Sequence, residues 1–433
     1  MILTGVAIAA AIVVSLASSG GSGEDLATPV RHTDSGLWVD ARAAACDDSR
    51  AAGAVSEARP WCTLEGAAAA APDGVTVNVA GGNYGDVSFS GIQHGPKVVL
   101  RAAAGARPKL GYTVFDDASG IVLSGFDFAA PVDIFPGSNG QIGVLDSTFA
   151  GFRNVGVNIG PGAHDVLIAG NRFEDLLEEG EGAPGKGVNA SGYGPEITGL
   201  RIVDNEFIRT HGGGIAVAGV VDSLIEGNEI AEVSPAAGSP IHADPLLIQG
   251  ATRLTVRGNL IRDNEQAIVI FDGVSGLRFE NNTVVGGQNY GVNFQGSAPG
   301  LRFAANTLWD NAFGGLLVQG ALGPGARLRN NILQSIDGDG DVGGGEDFNL
   351  VERGPRAGSH DLRGSPRFTA PGRGDYSLAA GSRGIDAGSS TGTPRTDRLH
   401  RRRVDDPEVR NRGAGRRPYF DLGAEEHGAG APR

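Results

Sequence analysis

The sequence predicts an all-β chain wound as a parallel β-solenoid, and two observations predict it. First, a short apolar strand followed by a small residue, Asn and another apolar residue recurs through the middle of the chain. The series includes VLIAGNRF (166–173), LRIVDNEF (200–207), SLIEGNEI (223–230), LTVRGNLI (254–261), LRFENNTV (277–284), LRFAANTL (301–308) and RLRNNIL (327–333). Its asparagines, at 171, 205, 228, 259, 282, 306 and 331, are spaced by 34, 23, 31, 23, 24 and 25 residues. Second, each period holds another short strand with apolar residues at its second and fourth positions: GVNI (156–159), GVNA (187–190), GIAV (214–217), PLLI (245–248), AIVI (267–270), GVNF (291–294) and GLLV (315–318). Alternation with period 2 marks a half-buried strand. No window keeps a 3.6-residue period, and propeller blades need periods of about 40 residues. A coil this small buries its apolar side chains only by stacking on its neighbours, about 4.8 Å apart, with strands in parallel. The recurrent Asn then stacks at one corner, where its carboxamide can bond to its neighbours and to turn backbone.

Composition agrees. Gly supplies 71 of the 433 residues, and the repeat puts many at corners, such as Gly156, Gly187, Gly214, Gly291 and Gly315. Aromatics make up 6%, as a thin core of Val, Ile and Leu requires. The net charge of −14 argues against a nucleic-acid partner, which is held by releasing counterions from phosphates. Nine Arg and four acids between Arg395 and Arg417 give +5 locally, leaving −19 elsewhere. That basic stretch reads as a solvated tail or as a patch for an acidic polymer.

The chain divides into residues 1–22, an uncharged apolar run ending in small residues; 34–120, a cap and the first coils; 121–350, the regular coils; and 351–433, a closing segment with the basic tail. The apolar run, Ile2 to Ala17, is shorter than the ~20 residues that span a bilayer. It fits a secretory signal or an uncleaved anchor, so the expected location is secreted or at the cell surface, with membrane contact only through that segment. Export favours a disulfide between Cys46 and Cys62 over two free thiols. Closing that loop is worth roughly 3 kcal/mol if unstrained.

The sequence resembles the right-handed parallel β-helix proteins of the pectate-lyase-like superfamily over roughly residues 34 to 426. LWVD (37–40) and PWCTLEGAAAAAPDGVTVNVAGGNY (60–84) look like the usual opening, a capping helix and first coil; GDYSLAAGSRGIDAGS (374–389) and DLGAEE (421–426) look like a frequent closing segment. The resemblance implies a single right-handed β-helix. The period gives it about nine to eleven coils. It does not imply one activity, because lyases, hydrolases, epimerases and non-catalytic surface proteins share the architecture.

Chemistry is sought where the repeat departs from regularity. The two long coils carry their insertions in the same loop, between the Asn corner and the following strand: 174–187 and 231–245. Two such loops, one ordinary coil apart, should overhang one face about 10 Å from each other and wall a groove. Counting back from the second strand, His211 and His242 share one column; Lys186, Gly213, Asp244, Gln266 and Tyr290 share another. Lys186 is one of three lysines. Two stacked imidazoles disfavour each other's protonation, so one can act as a base near neutrality. β-Elimination on a uronic acid needs a positioned base and neutralisation of the carboxylate. On this reading His242 is the base, assisted by His211 or Lys186, while Asp244 orients an imidazole or binds a cation. Arg209, Gln249, Gln266 and Tyr290 are the expected substrate contacts. Calcium is the expected cofactor if any, on Asp244, Glu178 and Glu179. The same residues would equally form a stacked corner with Asp244 capping the turn before Pro245. The acidic run Asp337, Asp339, Asp341, Glu346 and Asp347 fails the helix-loop-helix calcium spacing and reads as a turn ending the coils. The expected function is a monomeric, exported lyase or related epimerase acting on an acidic polysaccharide. The competing expectations are a non-catalytic surface or glycan-binding protein and a glycoside hydrolase.

Overall fold

The computed structural model describes residues 34–136, 140–178, 185–354, 358–385 and 387. The apolar run at 1–22, Glu179 and the Arg-rich stretch lie outside them.

The chain winds into stacked coils, each with three short strands. The first strands form a 13-stranded sheet that includes Asp34–Val39, Leu167–Ala169, Arg201–Val203, Leu224–Glu226 and Glu346–Asp347. The second and third strands of the coils line two further faces. Every pairing in the stack is parallel, and through the regular coils it runs coil to coil in simple register: Phe173 pairs with Phe207 and Phe207 with Ile230; Val188 pairs with Ile215 and Ile215 with Leu246. Thirteen strands on one face exceed the nine to eleven coils that the period suggests, because the opening segment contributes coils outside the regular Asn repeat.

Each corner needs a residue in the left-handed region. The residue before each corner Asn takes it: Gly170, Asp204, Gly227, Gly258, Asn281, Ala305 and Asn330 all have positive φ. Mostly Gly, Asp and Asn fill the position because they reach αL cheaply. The Asn that follows is buried and hydrogen-bonded to both neighbouring coils. Asn205 accepts at Oδ1 from the backbone N–H of Asn171 at 2.9 Å and from its Nδ2 at 3.0 Å; its own Nδ2 donates to Ile168 O at 2.9 Å. The pattern repeats to Asn331, continues through Asn349, and ends on the Asp361 carboxylate.

Most of the core is one continuous cluster, with a small separate one at the C-terminal end. It is not purely aliphatic. Phe128, Phe149, Phe173 and Phe207 stack with ring centroids 4.4, 4.6 and 4.7 Å apart, one ring per coil, until Ile230 takes the position. Identical flat side chains at the coil spacing pack without a void, as cross-strand aromatic pairs do.

The helix Leu64–Ala70 at the N-terminal end is capped by Thr63, whose Oγ1 accepts from Gly66 N at 3.0 Å. Cys46 and Cys62 are joined by a disulfide, with Cα atoms 4.9 Å apart. At the other end, the antiparallel pair Phe368–Ala370 and Asp375–Leu378 covers a small cluster of Ile332, Leu350 and Leu378. In the acidic run, Asp341 Oδ1 accepts from Gly343 N at 2.7 Å, an Asx turn, while Glu346 is buried and its carboxyl is pushed up by that burial.

Candidate functional site

The third face carries the site. Its inward residues, such as Val188, Ile215, Leu246 and Ile268, are buried. Its outward residues run in columns. The middle column is Asp133, Asn158, Asn189, Ala216, Leu247, Val269, Asn293 and Leu317. Three residues earlier, Lys186 pairs directly with Gly213. The same register continues from Ile215–Leu246 and Leu247–Val269 to place Asp244 and then Gln266 in line, with Tyr290 following and pairing with Gly314.

Gly213 is required there. Its φ is +133°, and a Cβ would lie 2.8 Å from Asp244 O and 3.6 Å from Lys186 Cγ. The Lys186 stem therefore passes over bare backbone toward Asp244. Burial pushes the Lys186 ammonium below its ordinary value, with the Asp244 charge opposing. Burial pushes the Asp244 carboxyl up to about 6, against the charges of His242 and Lys186. Each group is thus moved toward its neutral form by desolvation, which outweighs their mutual attraction. His242 stands exposed at the rim, close enough for its charge to act on Asp244.

The two long loops meet. Glu178, in the first, accepts from Ala236 N at 3.2 Å and from Ser239 Oγ at 2.8 Å in the second. They bridge the intervening coil and wall one side of the face. This use of both Glu178 oxygens leaves it committed to the wall. Among the described residues no three carboxylate or imidazole groups converge on a cation position, and Glu179 lies outside them.

Other expected contacts are placed differently. Arg209 does not reach the groove as a free cation: at the corner after Glu206–Ile208 its Nε donates to Asp175 Oδ1 at 2.7 Å, and it also pairs with Glu174 and with Glu232 at 3.7 Å. A guanidinium held by three carboxylates is already neutralised. His211 uses its backbone N–H on Leu176 O at 2.9 Å; ladder bonds reach back to Gly214 and Asp244, short of the two histidines. Gln266 Oε1 accepts from Asn289 Nδ2 at 3.0 Å. Gln249 Oε1 accepts from Tyr193.

Sequence reasoning missed Tyr193, Phe313 and Asn293. Tyr193 is 63% and Phe313 60% exposed, and Phe313 meets Tyr290 edge-on with centroids 6.0 Å apart. Asn293 Oδ1 is buried on the outward column without a hydrogen-bond partner. The legible signal was that Tyr193 and Phe313 are aromatics in Gly- and Asn-rich turns, where a thin core has no use for them.

Among the described residues no helix is long and apolar enough to cross a membrane. Solved structures similar to the chain include pectate lyase Pel9A, 14% identical, covering 91% of this chain and 98% of that one, with a TM-score of 0.49. Another is the PL6 family alginate lyase AlyGC, 14% identical, covering 77% of this chain and 58% of that one, with a TM-score of 0.46. A third is the periplasmic alginate epimerase AlgG, 13% identical, covering 67% and 77%, with a TM-score of 0.37. No curated protein matches the sequence. Residues 132–333 match the family described as the right handed beta helix region. With its three strands per coil and parallel coil-to-coil pairing, the chain is a right-handed parallel β-helix repeat protein.

Proposed function

We propose that the third face binds an acidic polysaccharide and abstracts the proton next to a uronate carboxylate, leading to β-elimination or epimerisation. The observation that carries this is the Lys186–Asp244 pair, held on either side of Gly213 beneath the loop wall and shifted toward neutrality. An amine made less basic by burial offers a lone pair for C–H abstraction. A carboxyl neutral near pH 6 donates a hydrogen bond to the substrate carboxylate and stabilises the charge that grows there. Lys186 therefore takes the role of base that the sequence suggested for His242. His242, at the rim, supplies a second cationic contact or the proton for the leaving oxygen. Exposed Tyr193 and Phe313, with half-buried Tyr290 beside Phe313, offer faces for sugar rings. Glycoside hydrolysis needs two carboxyls about 5–9.5 Å apart. Asp244 instead interacts with Lys186 and His242.

The test is a panel of uronate polymers, following absorbance of unsaturated ends and, for epimerisation, proton NMR of the sugar composition. Activity on one polymer, abolished in Lys186→Ala, supports the reading. Binding without turnover would make the protein a glycan-binding module. Neither binding nor turnover with any polymer would remove an acidic glycan from consideration.

A further inference from the structure

On the outward side of the 13-stranded sheet, Arg278, Arg302 and Arg327 stand in one column, each pairing with the next. The column beside it reads Arg257, Glu280, Ala304, Arg329. The acids run out along it. Arg257 is paired with Glu226, and the buried Glu280 carboxylate serves both Arg278 and Arg302, at 3.0 and 2.9 Å. In the next coil the position of that acid is Ala304, and in the one after it is Arg329. Among the described residues Arg327 and Arg329 form no ion pair, and Arg329 Nε is buried without a hydrogen-bond partner. Asp347, next to Arg329 in register, is turned to His360, whose Nδ1 lies 2.9 Å from its Oδ2.

Arg302, Arg327 and Arg329, with the small residues Gly300, Ala304 and Gly325, line an open cavity of about 490 Å³. Like charges on directly opposed strand positions cost stability. Here the chain, acidic elsewhere, sets two unpaired guanidiniums around a hollow where a side chain at 304 could have neutralised them. We propose that this cavity is a second binding site, for a sugar unit bearing a carboxylate or sulfate. Guanidiniums recognise such planar or tetrahedral oxyanions bidentately. The volume exceeds a bare ion and suits a small organic ligand. Arg327 and Arg329 hold the anionic group, and the small lining residues Gly300, Ala304 and Gly325 leave room for the ring. The site lies on a different face from Lys186 and several coils toward the C-terminus, so it anchors a polymer rather than reacting with it. The sugar chemistry rests on the proposed function; the anion site does not.

The experiment is titration calorimetry with an oligogalacturonate, a sulfated oligosaccharide and a carboxyl-reduced neutral oligosaccharide, on the wild type, Arg327→Gln/Arg329→Gln and Lys186→Ala. One of the two acidic probes should bind the wild type at two sites. The double Arg variant should lose one site, with affinity there down at least ten-fold, and keep turnover within two-fold. Lys186→Ala should keep the Arg site, and the neutral probe should not occupy it. Identical isotherms for wild type and the double Arg variant overturn the proposal. So does binding that appears only after residues 421–433 are removed, which would make the acidic segment DLGAEE the occupant. If Lys186→Ala keeps the Arg site while no polymer is turned over by the wild type, the proposed function fails and the second site stands.

Discussion

Tyr193 donates its hydroxyl proton to Gln249 Oε1 at 2.5 Å, across the coil that separates them. Ser191 pairs with Ala218 and Ala218 with Gln249, so the phenol spans two coil steps over Gly219. The hydroxyl meets Gln249 at the C-terminal ends of the third-face strands, opposite the edge that carries Lys186 and Asp244. A sugar on that face would meet the ring. Tyr193→Ala is expected to raise KM about ten-fold with kcat little changed, since it removes binding shared by ground and transition states. Tyr193→Phe, which loses only the tether, should cost less, near the ~1 kcal/mol of one hydrogen bond. A kcat loss equal to the KM effect would place Tyr193 in the chemistry instead.

Lys186 can serve as a base only because its amine can lose a proton. Lys186→Ala should lower kcat by about 10²–10⁴, the range of a lost general base. Lys186→Arg should fail to rescue, because guanidinium stays protonated. Steady-state rates on the active polymer decide this; retained activity in the Arg variant would reduce Lys186 to a cationic anchor.

The pH behaviour follows from Asp244. Its folded value is about 6 against an ordinary 3.8, so the native state holds the proton more tightly than the unfolded chain. Stability conferred at low pH is therefore lost between about 4 and 6 as pH rises. Above pH 6 the ionised carboxylate faces a substrate of like charge, and KM should climb. Asp244→Asn should flatten that climb and remove the group's share of the stability loss. KM profiles from pH 4.5 to 8 measure the first, thermal unfolding over the same range the second.

Asn228 sits in mid-stack. Its Oδ1 accepts from Asn205 N and Nδ2, and its Nδ2 donates to Ile202 O. Asn228→Ala strands buried polar groups at about 1–3 kcal/mol each, so a loss of about 2–5 kcal/mol is expected in denaturant unfolding. Asn228→Asp keeps the acceptor but places a charge in the interior, and should be no milder.

The Asn period and the alternation were legible because a coil must repeat to pair with itself: each corner Asn at 171 to 331 lies in the ladder, and the Lys186–Gly213–Asp244–Tyr290 column follows from the register. The ladder's last rungs were not, because Asn349 and Asp361 follow shorter coils that break the period. Arg209 was misjudged for another reason. Its partners Glu174, Asp175 and Glu232 sit 35, 34 and 23 residues away or nearer the neighbouring corners, and only stacking shows that the cation is spent. Tyr193 lies beyond the end of its strand, where periodicity carries no information on side-chain direction.

The Asn ladder also has a direction. Each Asn gives its backbone N–H and one Nδ2 hydrogen to the Asn of the next coil and returns its other Nδ2 hydrogen to the preceding coil, so the side-chain ladder runs mainly one way. The row begins at Ser147, which donates into Asn171, and ends at Asp361, whose Oδ1 accepts both donors of Asn349. The last donors thus meet a fixed negative charge. The terminal residue is the one rung where acceptance without donation is wanted, and a carboxylate supplies it. Growth of the stack is polar in the same way: a coil can be added only where an acceptor awaits it, and Asp361 is the full stop.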